Sequence, residues 1–140
     1  MDFYRYFHVT NKVLLENVSY ETAKLPDIKN NTGIKMNCKD TVVAQIGDAG
    51  VKFNFNRKVD FEPECMYTLS VTFSAYLPFR PEFKDEVDWK SVDISSEFVR
   101  AGGPVLTALM SKTSLLIGEI TAAGGQNPLI TPPSPQKKEQ

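Results

Sequence analysis

Between Gly102 and Pro133 the chain reads GGPVLTALMSKTSLLIGEITAAGGQNPLITPP. This stretch predicts one long helix, Pro104–Ala123, with both ends marked, followed by a short extended run closed by two prolines. Pro104 suits the first helical position, where its missing N–H is not needed. Gly124 and Gly125 suit the exit, where the chain turns left-handed. Leu106, Leu109, Met110, Thr113, Leu116, Ile117 and Ile120 recur at helical spacing. Off that stripe only Lys112 and Glu119 carry charge, and Ala108, Ser111, Ser114, Gly118 and Ala122 are small. An exposed helix ordinarily has a charged back face, so this one is expected to be covered on a second side, by its own chain or by another copy. A glycine inside a helix costs about 1 kcal/mol relative to alanine, so Gly118 asks for a compensating close approach. Leu109, Lys112, Leu116 and Gly118 are the candidate oligomer interface of an expected homodimer or homotetramer.

Upstream the period changes from helical to two. Val51, Phe53, Phe55, Val59 and Phe61 point one way, and Lys52, Asn54, Asn56, Lys58 and Asp60 the other, with Arg57 the one intruder on the apolar face. After a short turn at Glu62-Pro63-Glu64, Tyr67, Leu69, Val71, Phe73, Ala75 and Leu77 form a second apolar face. Period two with one wet face means antiparallel strands, and the short connection makes a hairpin. Phe7 and Val9 begin an earlier alternation whose phase shifts near Asn11, as a bulge or bend would cause. Thr22 to Gly33 is a polar connector. Lys35 to Ile46 reads as a further strand, turned back at Gly47–Gly50 either as a hairpin or as a bulge within one long strand. Two period-two runs followed by one helical run predict an α+β fold, an antiparallel sheet with the helix on one face. Residues 1–133 form the expected single domain, with 134–140 a disordered tail.

The remaining composition excludes more than it selects. With 16 basic and 17 acidic residues the net charge is −1, without the basic excess of a nucleic-acid module. His8 is the only histidine, and Cys38 and Cys65 lack metal-ligand spacing. The acidic run Glu82, Asp85, Glu86, Asp88 lacks the glycine-centred loop of a calcium site. Gly47-Asp48-Ala49-Gly50 lacks the Lys-Ser/Thr of a phosphate loop. Gly102-Gly103-Pro104 is accounted for by helix entry. No activated nucleophile is marked, so neither an enzyme nor a cofactor is expected. The N-terminus MDFYRYFHVTNK has no apolar core of a signal peptide, and no apolar run approaches the ~20 residues that span a bilayer. A cytoplasmic protein with free thiols and no membrane insertion is expected.

From Pro78 to Asp93 aromatics alternate with prolines and carboxylates, a loop leading into a short strand or helical turn at Val92–Val99. Exposed contiguous apolar surface marks binding sites, and aromatic side chains give large contact area at low entropic cost. Tyr76, Phe79, Phe83 and Trp89 are the candidate binding groove, with Glu82–Asp88 as an acidic rim that favours basic partners.

The order of elements resembles the SecB family of protein-export chaperones. The run Phe7-His8-Val9 to Val18-Ser19-Tyr20 looks like that family's first strand, Val51–Leu77 like its central pair, and Asn127-Pro128-Leu129-Ile130-Thr131-Pro132-Pro133 like the apolar stretch after its helix. The resemblance implies a four-stranded antiparallel sheet with a long C-terminal helix on one face. It also implies an ATP-independent holdase, assembled as a tetramer, that binds unfolded or extended apolar polypeptide segments, for export or as the client of a toxin–antitoxin system. The sequence departs from the family in four places. Val87–Val99 is a poor match to a strand before the helix, and Leu106-Thr107-Ala108-Leu109 stands where a Pro-Tyr-Ala-Arg-like segment is usual. The tail leaves no room for a second C-terminal helix, and the acidic sheet surface that docks the translocase motor has no residue-by-residue match. A phage or mobile-element accessory protein that binds one dedicated folded partner is the alternative of a different class.

Overall fold

The computed structural model describes residues 1–9, 12–23 and 33–134. A helical turn, α1 (Phe3–Tyr6), precedes four strands: β1 (Leu14–Thr22), β2 (Lys35–Ile46), β3 (Gly50–Glu62) and β4 (Tyr67–Pro78). Two helices follow, α2 (Ile94–Ala101) and α3 (Gly103–Ala123). The strands form one antiparallel sheet in the order β1-β4-β3-β2. The hairpin read from the alternation is β3–β4, and Lys35–Ile46 is a separate strand turned onto β3, with Gly47 N–H donating to Gly50 C=O at 2.9 Å. Together the sheet and the long helix give the expected α+β fold.

The first strand begins later than expected. Residues 3–6 are helical, Phe7 makes only an isolated bridge to Phe79, and pairing with β4 starts at Leu14. The irregularity lies at Glu16, between the pairs Leu15–Phe73 and Asn17–Thr72; Asn11 is outside the described residues. So are 24–32 of the polar connector and 135–140 of the tail. Val92–Val99 takes the helical option. Asp93 caps α2, accepting from the Ser96 N–H at 3.3 Å and from the Ser96 hydroxyl at 2.7 Å.

The core lies between one sheet face and the helices. Phe55, Val59, Leu69, Val71 and Leu77 face Val105, Leu106, Leu109, Met110 and Ile117 of α3, all buried. Thr113 and Thr121 share this stripe because their hydroxyls bond back to the Leu109 and Ile117 carbonyls at 2.7 and 2.8 Å. Gly125, not Gly124, takes the left-handed conformation at the helix exit, at φ 87°. Gly124 instead lets the Tyr20 ring pack against the backbone, where any Cβ would collide with its hydroxyl. With 21 residues and a mean hydropathy of 1.2, α3 is long and apolar enough to cross a membrane by length and composition. This corrects the expectation that no run approaches that length. The same composition suits a helix whose inner stripe packs on the sheet.

Candidate functional site

The four aromatic candidates do not share one groove. Phe79 and Trp89 are 5% and 8% exposed. They join Phe7 in a cluster at the end of the sheet, with ring centroids 4.9 to 5.4 Å apart, and the Trp89 indole N–H donates to the Lys84 carbonyl at 3.0 Å. Phe83 is half-buried, with the Arg5 guanidinium 4.2 Å above its ring and Arg5 paired to Glu86 at 2.9 Å. Tyr76 is on the opposite sheet face and 47% exposed. The groove expectation fails on geometry: the aromatic loop closes the open end of the core, and two of its rings, Phe79 and Trp89, turn inward to do so.

Tyr76 lines a cavity of about 550 Å³ with His8, Val9, Lys12, Leu14, Glu16, Lys52, Ser74 and Pro78. The bulge at Glu16 turns its carboxylate onto this face. There it pairs with Lys52 at 2.7 Å and accepts from the Ser74 hydroxyl at 2.6 Å. The Lys52 hydrogen bond, then that of Ser74, holds the Glu16 carboxyl below its usual range. Elsewhere the face is a polar ladder, in which the Asn56 amide donates to the Ser70 and Thr72 hydroxyls at 2.8 and 2.9 Å. Strand pairing puts Glu16, Glu21, Asp60 and Glu62 on this face with Lys35, Lys39, Lys52 and Lys58. Its charge is balanced, so no acidic docking surface is present among the described residues.

The helix side of the sheet is different. Leu15 and Val18 of β1 pair with Phe73 and Val71 and therefore point to the side of α3, yet both are exposed. The helix lies over β4 and β3 and leaves them uncovered. On the outward surface of α3, Leu115 is 65% exposed among Ala108, Ser111 and Ala122. The four interface candidates are divided here. Leu109 is fully buried in the monomer core, Lys112 is exposed, and Leu116 is half-buried. Gly118 lies about 200° around the helix from Leu116, under the segment after the helix, where a Cβ would be 3.6 Å from the Leu129 carbonyl and 3.8 Å from Ile130 Cδ1.

That segment is anchored by a residue whose role the alternation did not reveal. Arg57 is completely buried. Its Nε and Nη2 donate to the two Asp40 carboxylate oxygens at 2.7 and 2.8 Å. Its Nη1 donates to the Thr131 hydroxyl, the Pro132 carbonyl and the Ser114 hydroxyl at 2.9, 2.9 and 3.0 Å, and Nη2 also donates to the Ser134 carbonyl at 2.9 Å. The signal was present in the sequence: a tight turn at 47–50 pairs Asp40 directly with Arg57 across β2 and β3. Nearby, burial pushes the Cys38 thiol above its usual range, which disfavours the nucleophilic thiolate. Among the described residues no group of three His, Cys, Asp or Glu is placed to hold a metal ion.

Over 94% of its length the chain superposes on the SecB-like chaperone Rv1957 of Mycobacterium tuberculosis, covering 92% of that chain at a TM-score of 0.67 and 9% identity. The fold is SecB-like. That neighbour was solved in complex with a ChAD peptide from the HigA1 antitoxin. No family model matches the sequence, and no curated protein matches it. The order of elements that resembled SecB in the sequence is therefore realised in three dimensions, and Val87–Val99, a poor match to a strand in the sequence, leads into α2.

Proposed function

We propose that the protein is an ATP-independent holdase-type chaperone that binds unfolded or extended apolar polypeptide segments in the cytoplasm, without cofactor or catalysis. The SecB-like fold across 94% of the chain supports this reading most. Uncovered apolar side chains on the helix side agree with it, since such surface is what an extended chain or a second copy would cover. Leu15, Val18, Leu115 and Leu116 belong to a surface that closes in a homodimer or homotetramer, with Lys112 at its rim. Tyr76 and Phe83 remain accessible for client contact, and Phe79 and Trp89 support the loop from beneath. The balanced open face gives no reason to assign the translocase motor as a partner.

The test is suppression of aggregation of an unrelated unfolded protein without nucleotide, together with the solution mass. A holdase slows aggregation at near-stoichiometric amounts and elutes above the 15.7 kDa of one chain. A monomer that leaves aggregation unchanged overturns the reading. The antitoxin peptide bound by the neighbour favours a second reading, a binder dedicated to one partner such as an antitoxin or a mobile-element protein. It predicts tight binding to one polypeptide and no effect on unrelated ones.

A further inference from the structure

We propose that the segment Leu129–Ser134 is an intramolecular stand-in for a client. It occupies an extended-chain binding site beside α3, in which Arg57 reads the backbone of whatever lies there. The inference rests on the chaperone reading and assigns it a site. The strap runs back along α3. The Leu129 N–H donates to the Thr121 hydroxyl at 2.8 Å, and the Thr131 hydroxyl donates to that of Ser114 at 3.1 Å. Asp40 occupies two of the guanidinium's directions and fixes its plane. The remaining donors point at the strap, and two of the acceptors there are main-chain carbonyls, those of Pro132 and Ser134. Carbonyls two residues apart are offered by every extended polypeptide, so the recognition is independent of sequence. Specificity is left to two inward side chains, Thr131, which is buried, and Leu129, which is half-buried against the core.

The strap itself is held lightly. Ile130 is 81% exposed and Pro132 and Pro133 are exposed, so apart from Leu129, half-buried against the core, little apolar burial fastens it. Its two prolines have no N–H to give to a neighbouring strand and are biased to extended backbone. They make the strap a low-entropy occupant that cannot zip onto the sheet. A client segment with apolar side chains where the strap exposes prolines would displace it and keep the Arg57 bonds. The strap then lowers apparent client affinity in proportion to the time it spends in place.

The test locks the strap with Ser114→Cys and Thr131→Cys in a chain also carrying Cys38→Ser and Cys65→Ala, and compares the oxidised and reduced forms of that one protein. The probe is reduced, carboxymethylated lysozyme. We expect the oxidised form to bind about tenfold more weakly than the reduced form. Gly118→Leu, whose side chain meets the Leu129 carbonyl, should bind more tightly than the native chain. On the native chain, bound probe should accelerate hydrogen exchange at the Leu129 amide, and this measurement decides the matter even where the cysteine variant does not fold. Equal affinity of the locked and free forms, or an unchanged Leu129 exchange rate in a saturated complex, overturns the strap site and leaves the chaperone reading standing. No probe binding by the native chain overturns both.

Discussion

On one flank of α3, Ser114, Gly118 and Thr121 lie under residues 129–134, and the buried guanidinium of Arg57 ties that strap down. On the other flank the helix faces β1, where Leu15 and Val18 stand exposed beside it. The helix alone would suggest similar treatment for both, since neither flank carries much charge. The difference is polar chemistry. Hydroxyls and a guanidinium need directed partners once buried, and the chain supplies them itself. Aliphatic side chains need only to leave water, and any complementary apolar surface will serve. One flank is thus filled from within the chain, by the strap, and the other is left uncovered.

The largest expected effect breaks the closed flank. Arg57→Met leaves Asp40 without its bidentate partner in a site from which water is excluded, and loss of one member of a buried pair costs about 3–5 kcal/mol. Urea unfolding measures it; a loss below about 1 kcal/mol would mean that the pair contributes little and that the strap is fastened by other contacts. Next, Leu109→Ala should cost about 2–5 kcal/mol, as for any fully buried leucine. Leu115→Ala should change monomer stability by no more than about 0.5 kcal/mol. Val18→Glu should lower the solution mass while leaving the circular dichroism of the fold intact. If Val18→Glu leaves the mass unchanged, the open flank is not the subunit interface. A smaller effect of opposite sign is expected at Gly118. The methyl of Gly118→Ala meets the strap at ordinary contact distance, so helix propensity should stabilise the protein by about 1 kcal/mol. Destabilisation there would mean that the strap sits closer to α3.

The long-range architecture was legible because it rests on periodicity. The alternation from Val51 to Leu77 and the helix bounded by Pro104 and the Gly124-Gly125 pair required only local reading, and both stand where they were expected. The functional surface was less legible, for two physical reasons. Aromatic residues in a loop say that something large is buried there but not in which direction. Phe79 and Trp89 turned inward onto Phe7, which itself left the expected first strand to meet them. The small residues of α3 announced a close approach but not its source. Gly118 was met by the strap, whose position depends on Arg57, and the intruding charge became meaningful only with the register that sets Asp40 opposite.

The smallest effect belongs to the open sheet face, where polar groups are paired but still wet. The Lys52 hydrogen bond, and after it that of Ser74, lowers the folded-state pKa of Glu16 relative to its unfolded value, with burial opposing. A group depressed in this way contributes stability that is present above the ordinary glutamate range and is lost as pH falls through its folded value. Wild type and Glu16→Gln should therefore differ most near neutral pH and converge in acid. Because the pair is solvent-exposed, the difference should shrink further on adding salt. A gap of constant size across the acid range would mean that Glu16 acts through the geometry of the bulge and not through its charge. The open face would then be held by its Asn, Ser and Thr ladder alone, and it would resemble the sealed flank of α3, where directed neutral donors and acceptors also contribute.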